Sequence, residues 1–103
     1  RHLVNAAGLN ALDPRCVLVN IARGSVIDTS ALAAALREGR IAAAGLDVYE
    51  SEPAPPTELL DLDNVVLTPH VAGWSPEAVQ NSVDRFMENA RRHLAGEAPV
   101  TLL

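Results

Sequence analysis

Short apolar runs bounded by glycine or proline alternate along this chain with segments of helical period. The runs at residues 16–21, 41–48 and 65–68 are rich in aliphatic side chains, whereas residues 28–39 repeat leucine and alanine at helical spacing. This alternation is typical of βα units around a parallel sheet. The sequence therefore predicts an α/β fold with parallel strands and flanking helices.

The first apolar run, residues 16–21, is nearly continuous rather than alternating. A strand with this pattern is typical of the interior of a parallel sheet, where both faces are covered. We therefore expect it to be buried on both sides. Its cysteine, Cys16, is interpreted as a small buried hydrophobic residue.

Three helices are predicted from the residues that can begin and end them. Asn5 can cap a short first helix, in which Leu9 and Leu12 share a face and which ends before proline. The second helix begins at one of residues 28–30 and ends at a glycine, residue 39. The third begins at Ser75, with Pro76 at its first position, and ends before a glycine at residue 96.

The size and charge of the chain limit the kinds of function that it can have. A domain of 103 residues buries only about 60–65% of its unfolded surface, so a second, substrate-holding domain does not fit within it. Its 8 basic and 13 acidic residues give a net charge of −5, whereas proteins that bind nucleic acid concentrate lysine and arginine on one face. We therefore expect no nucleic-acid partner.

Several other classes of protein are disfavoured by the same sequence. No apolar stretch approaches the roughly 20 residues of a membrane helix, and no signal segment is seen, so a cytoplasmic protein is expected. One cysteine and scattered histidines do not give the spacing of a zinc site. We expect no metal and no membrane partner.

Polar side chains follow each predicted strand directly. Arg23 comes after the first, Asp47 and Glu52 after the second, and His70 after the third. Ligands of open α/β sheets bind beyond the carboxyl ends of the strands, so these groups should converge at one edge. Asp47 can equally be a cap of a loop, and spacing alone does not separate Glu52 from its neighbour Glu50.

The converging groups suit the reduction of an acidic carbonyl compound. The guanidinium of Arg23 can hold a carboxylate through two parallel hydrogen bonds, although a surface ion pair is its ordinary role. Imidazole is the side chain suited to proton transfer near neutral pH, so His70 can give a proton to a carbonyl oxygen. A carboxylate such as Glu52 can hydrogen-bond the other ring nitrogen and fix the tautomer.

Three segments together resemble the D-isomer-specific 2-hydroxyacid dehydrogenases. They are Leu-Val-Asn-Ile-Ala-Arg-Gly-Ser-Val-Ile-Asp at residues 18–28, Gly-Leu-Asp-Val-Tyr-Glu-Ser-Glu-Pro at 45–53 and Asn-Val-Val-Leu-Thr-Pro-His-Val-Ala-Gly at 64–73. They occur in the order of the family, and the resemblance extends over residues 3–94. Residues 3–25 look most like the glyoxylate and hydroxypyruvate reductase branch.

The resemblance implies roles for individual residues. Its catalytic arginine, glutamate and histidine match Arg23, Glu52 and His70, and it thereby favours Glu52 over Glu50. The cofactor it implies is NAD or NADP, with Asp47 holding the nicotinamide carboxamide. The residues it implies at the cofactor are Ile21, Ala22, Arg23, Asp47, His70, Val71, Ala72 and Gly73.

The resemblance also implies that this chain is part of a longer enzyme. Residues 1–91 look like the C-terminal half of a Rossmann-like NAD(P)-binding domain, and residues 92–103 return toward a substrate domain that is absent. The glycine-rich turn for the pyrophosphate is also absent, so the 103 residues alone should neither bind the cofactor tightly nor turn over.

The full-length enzyme is expected to be a homodimer that interconverts a small 2-oxo acid and the D-2-hydroxy acid. Two alternatives stay open at this point. One is a binding module similar to NAD-sensing transcriptional corepressors, which retain the same three residues. The other is a small α/β protein without catalytic activity.

Overall fold

The computed structural model of the chain describes residues 2–101, which fall into two compact units divided between Val71 and Ala72. The first unit contains helices α1 (Ala6–Asn10) and α2 (Thr29–Arg37) and strands β1 (Val17–Asn20), β2 (Ala43–Leu46) and β3 (Val65–Leu67). Two short 3₁₀ helices, Gly24–Val26 and Thr57–Leu59, lie in its loops. The second unit is built on helix α3 (Pro76–Leu94).

The three strands form one parallel sheet in the order β1-β2-β3. Leu18 of β1 lies opposite Ala44 of β2, which in turn lies opposite Val65 of β3. Because all three strands point the same way, their carboxyl ends meet at one edge. This arrangement confirms the predicted α/β class, although each strand is shorter than its apolar run.

The hydrophobic core lies between α2 and one face of the sheet. Leu32 and Leu36 of α2, which are one helical turn apart, are buried with Ala44 and Leu46 of β2. Further members of this core come from the neighbouring segments: Leu9, Ile27, Ala33, Ala35, Ile41 and Leu59. Burying this apolar surface is the main stabilising contribution to the first unit.

The other face of β1 corrects one prediction. Val17 and Val19 are 63% and 64% exposed, whereas Asn20, on the core side, is buried. Side chains alternate along a strand, and the described core lies on only one side of the sheet. The prediction that residues 16–21 are buried on both faces is therefore wrong for the described part of the chain. Cys16 is half-buried rather than buried.

The predicted helix starts are confirmed by their capping bonds. Asn5 Oδ1 accepts from the Gly8 N–H at 3.1 Å, Asp28 Oδ1 accepts from the Ala31 N–H at 2.9 Å, and Ser75 Oγ accepts from the Ala78 N–H at 3.0 Å. Each bond satisfies a backbone donor that the first turn leaves unpaired. Helix α1 already ends at Asn10, so Leu12 lies outside it and is partly exposed.

In the second unit, the segment after α3 folds back on the helix. The Val100 N–H donates to Asn89 Oδ1 at 2.8 Å, and Arg92 Nη1 donates to the Ala98 carbonyl at 3.0 Å. Helix α3 carries exposed apolar side chains, Phe86 among them. Within residues 2–101, no helix combines the length and the hydropathy needed to cross a membrane.

Two backbone contacts of the first unit escape prediction from sequence. Residues 2–4 run parallel to residues 25–28, with the His2 N–H donating to the Ser25 carbonyl at 2.8 Å and a bridge between Val4 and Ile27. In addition, a Cβ placed on Gly24 would lie 2.1 Å from the carbonyl carbon of Tyr49. Gly24 therefore permits a close backbone approach that no other residue allows.

Replacing Gly24 by alanine should lower the free energy of unfolding by about 1–3 kcal/mol, the usual cost of overpacking. The added methyl group would meet backbone atoms of Tyr49 and Glu50, which cannot rotate aside. Chemical unfolding of the protein measures the effect. Gly8→Ala is the control, since its added methyl group comes no closer than 3.8 Å to the heavy atoms around it and alanine favours helix. Equal stability of the two variants would contradict this account.

Candidate active site

The three residues predicted to be catalytic border one cavity. Arg23 follows β1, Glu52 follows β2 and His70 follows β3, and a cavity of about 320 Å³ is lined by all three. Its remaining lining residues are Gly24, Ser25, Val48, Tyr49 and Glu50. The carboxyl edge of the sheet thus brings together a cation, carboxylates and an imidazole from three separate segments.

The turn after β1 is held by a buried amide. Asn20 Nδ2 donates to the Arg23 carbonyl at 3.0 Å, and Asn20 Oδ1 accepts from the Ala22 N–H at 3.1 Å. These bonds fix the backbone of residues 21–23, including Ile21 and Ala22. Asn20 was not among the residues predicted from sequence; its signal is an amide at the end of an apolar strand, three residues before Arg23.

The side chain of Arg23 is exposed. Its Nη1 donates to the Ala22 carbonyl at 2.6 Å, and it forms no ion pair with any residue between 2 and 101. The alternative interpretation, a surface ion pair, is therefore not seen in the described chain. A permanent positive charge stands at the rim of the cavity.

His70 and Glu52 form a close pair. His70 Nδ1 lies 2.9 Å from Glu52 Oε2, and Glu52 Oε1 accepts from the Tyr49 N–H at 2.8 Å. The Tyr49 N–H and then the His70 ring lower the pKa of Glu52. Because an ionised carboxylate can only accept, Nδ1 carries the hydrogen of the pair, and Nε2 is left for proton transfer.

The backbone of His70 is left-handed, with φ of 56°. Such a conformation is uncommon for residues other than glycine and concentrates at functional sites. The turn is held by Asp47, which is only 3% exposed. Its Oδ1 accepts from Thr68 Oγ1 at 2.5 Å and from the Val71 N–H at 2.9 Å. Asp47 is therefore a cap of this turn, one of the two roles that its position allowed.

Tyr49 ties the ends of two strands together. Its hydroxyl contacts the Leu46 carbonyl at 3.1 Å and also the Thr68 carbonyl. Burial, and then the charge of Asp47, raise the pKa of Tyr49, so the phenol stays protonated at neutral pH. This contact was not predicted from sequence, because a tyrosine that follows a strand does not indicate which carbonyl groups its hydroxyl will meet.

The structure separates the two candidate glutamates. Glu50 is held away from His70: its Oε1 lies 2.7 Å from His2 Nε2, and its Oε2 accepts from the Thr29 N–H and hydroxyl at 3.2 and 3.1 Å. These partners, His2 first, lower the pKa of Glu50 to about 2. Glu52, not Glu50, is the carboxylate that pairs with His70.

The remaining predicted residues lie at the junction of the two units. Val71 ends the first unit, whereas Ala72 and Gly73 begin the second. Among residues 2–101, no group of three or more histidine, cysteine or acidic side chains is arranged to hold a metal ion.

Comparison with known proteins identifies the family. Residues 1–72 match the family model described as the D-isomer specific 2-hydroxyacid dehydrogenase, NAD binding domain. The chain therefore belongs to this family, and its parallel sheet with flanking helices is the predicted Rossmann-like fold.

Named relatives point to the same branch of the family. A glyoxylate reductase of Thermococcus onnurineus is 47% identical over 102 residues, which are 99% of this chain and 30% of the relative. A hydroxyphenylpyruvate reductase of Plectranthus scutellarioides is 42% identical over 100 residues, 97% of this chain and 32% of the relative. This chain thus spans about a third of the length of these relatives.

A solved structure agrees in fold. The NADPH-dependent glyoxylate/hydroxypyruvate reductase of Sinorhizobium meliloti, in complex with NADP and malonate, is 42% identical and superposes with a TM-score of 0.88. The match covers 99% of this chain and 32% of that one.

The low pKa of Glu50 predicts a particular dependence of stability on pH. Its ordinary value is 4.5 and its value in the fold is about 2, so its stabilising contribution is complete above pH 4.5 and is lost as the pH falls toward 2. Glu50→Gln should lower the free energy of unfolding by about 1–3 kcal/mol near neutral pH, the usual cost of losing charge-assisted hydrogen bonds of a partly buried group.

The same variant should flatten the loss of stability between pH 4.5 and 2. Unfolding curves recorded across this range measure the effect. Glu58→Gln is the matched control, because Glu58 is exposed and accepts from an exposed partner, the Ser30 hydroxyl. Parallel pH profiles for the parent and Glu50→Gln would refute the assignment.

Proposed function

We propose that this chain forms part of an NAD(P)-dependent oxidoreductase that reversibly reduces a small 2-oxo acid to the D-2-hydroxy acid. The observation that carries the proposal is the cavity shared by Arg23, Glu52 and His70, with the imidazole and carboxylate 2.9 Å apart. The names of the relatives, glyoxylate reductase and glyoxylate/hydroxypyruvate reductase, support a substrate of that type.

Arg23 is proposed to bind the carboxylate of the substrate. Its guanidinium is charged at any working pH and offers planar pairs of donors that match the two carboxylate oxygens. Among the described residues it is not committed to an acidic partner. Binding the acid at this point orients the neighbouring carbonyl toward His70, which borders the same cavity.

His70 is proposed to move the proton. In the direction of reduction, Nε2 gives a proton to the carbonyl oxygen as that oxygen gains negative charge, and it takes the proton back in reverse. Glu52, anchored by the Tyr49 N–H, holds Nδ1–H and stabilises the charged ring that must form before each reduction. A positioned acid of this kind contributes about 10²–10⁴ in rate.

The polar groups at the carboxyl edge of the sheet are chemically suited to a nicotinamide cofactor. We propose that the backbone of residues 21–23, the carboxylate of Asp47 and residues 70–73 would hold the nicotinamide end of NAD or NADP. The carboxamide of the nicotinamide donates N–H groups, and a carboxylate is the acceptor that suits them. The cofactor, when bound, supplies the hydride.

The place of the chain in the whole enzyme is part of the same proposal. Residues 1–91 are assigned to the C-terminal half of the nucleotide-binding domain, and residues 92–103 to the return toward the substrate domain. The family match over residues 1–72 supports the first assignment. The whole enzyme is proposed to be a homodimer.

Arg23→Ala in the whole enzyme should raise KM and lower kcat together, because the anchor both binds the acid and orients its carbonyl. We expect kcat/KM for glyoxylate to fall by about 100-fold, a loss typical of a misplaced reacting group. Steady-state reduction assays measure it. Arg15→Ala, which removes an exposed arginine paired with Asp13, should leave both constants unchanged. An unchanged KM in Arg23→Ala would exclude the anchor role.

His70→Asn tests the proposed function most directly. Reduction of the 2-oxo acid should fall by about 10²–10⁴, whereas binding of the reduced cofactor, followed by fluorescence titration, should change little. His93→Asn, on the last turn of α3, is the control and should retain full activity. Near-normal turnover of His70→Asn would rule out His70 as the proton donor.

A further inference from the structure

We propose that Glu50 is a positioning residue, which fixes the loop of residues 49–52 so that Glu52 stays in contact with His70. This inference rests on the proposed function, because it concerns the same imidazole–carboxylate pair. It assigns a task to a residue that the family resemblance sets aside in favour of Glu52.

The contacts of Glu50 come from parts of the chain that are distant in sequence. His2 lies 48 positions before it, and Thr29, the first residue of α2, lies 21 positions before it. The Glu50 side chain is only 21% exposed, so its contacts are partly shielded from water. A carboxylate held in this way resists displacement better than a surface ion pair.

His2 is itself held in place. Its backbone N–H donates to the Ser25 carbonyl, and its Nδ1 lies 3.7 Å from Asp28 Oδ2. The imidazole therefore lies between the carboxylates of Asp28 and Glu50. The loop of residues 49–52 is thus fastened to the segment of residues 25–29, which begins two residues after Arg23.

The path from Glu50 to His70 is short. Glu52 lies two residues further along, and its Oε1 accepts from the backbone N–H of Tyr49, the residue before Glu50. That N–H lies in the peptide that joins Val48 to Tyr49, so a shift of the backbone of Tyr49 and Glu50 would move it. Because Glu52 Oε2 is the atom at His70 Nδ1, such movement would lengthen or misalign the catalytic pair.

The test compares Glu50→Gln, Glu52→Gln, the double variant and the control Glu58→Gln in the whole enzyme. The readout is the pH profile of kcat/KM for reduction of glyoxylate by NADPH, or by NADH if that cofactor is preferred. The titratable and charged groups bordering the cavity with His70 are Arg23, Tyr49, Glu50 and Glu52, and Asp47 lies at the same edge. Loss of Glu52 should move the alkaline fall in reduction to lower pH, since the protonated ring loses its partner.

Glu50→Gln should lower kcat/KM about tenfold and move the same fall in the same direction, by less than Glu52→Gln does. The double variant should match Glu52→Gln, because Glu50 acts only through Glu52. Glu58→Gln should retain the parent profile. These results together would support the positioning role.

Other results would distinguish failure of the positioning role of Glu50 from failure of the proposed function of the His70–Glu52 pair. If Glu52→Gln shifts the profile and Glu50→Gln does not, Glu50 contributes to folding alone and the inference is wrong. Additive losses in the double variant would also overturn it. If Glu52→Gln has no effect on the profile, the proposed pair and this inference both fail. Should Glu50→Gln not fold, Thr29→Val removes one donor and keeps the charge; a smaller shift supports the role, and no shift refutes it.

Discussion

The backbone of Gly24 lies against the peptide that joins Tyr49 to Glu50, with space for a hydrogen atom and not for a methyl group. This contact joins the turn after β1 to the loop after β2. Arg23 stands immediately before the contact, and Glu52 lies two residues beyond it. The separation of the two backbone segments that carry the cation and the carboxylate is therefore set by backbone packing, as preorganised sites in general require.

Three carboxylates within six residues of one another serve different purposes. Asp47 is buried and holds the turn that carries His70, Glu50 is bound to His2 and the start of α2, and Glu52 pairs with the imidazole. Their hydrogen-bond partners, rather than their residue type, decide these roles. Of the three, Glu52 is the one that contacts His70 and is also anchored on the Tyr49 N–H, whereas the other two hold the architecture around this pair.

The predictions that the structure confirms depend on residues close together in sequence or on the parallel topology of the sheet. Helix caps depend on residues three positions away, so the sequence alone predicts Ser75 and narrows the start of α2 to residues 28–30, of which Asp28 is the cap. The convergence of strand ends follows from parallel topology and was equally predictable. The tasks of Asn20 and Tyr49, in contrast, depend on which carbonyl groups happen to lie near them after folding. The exposed face of β1 was not predicted for a related reason. An apolar strand pattern does not show whether the rest of the described chain packs on one face of the strand or on both.

The left-handed backbone of His70 restricts how this position can evolve. Glycine, asparagine and aspartate accept that conformation readily, while β-branched and bulky side chains strain it. None of those three residues carries a group that ordinarily titrates near neutrality. The replacements that keep the turn intact are therefore ones that lack an imidazole. If His70 moves the proton as proposed, a descendant could lose that step in a single substitution while its sheet and its cavity persist.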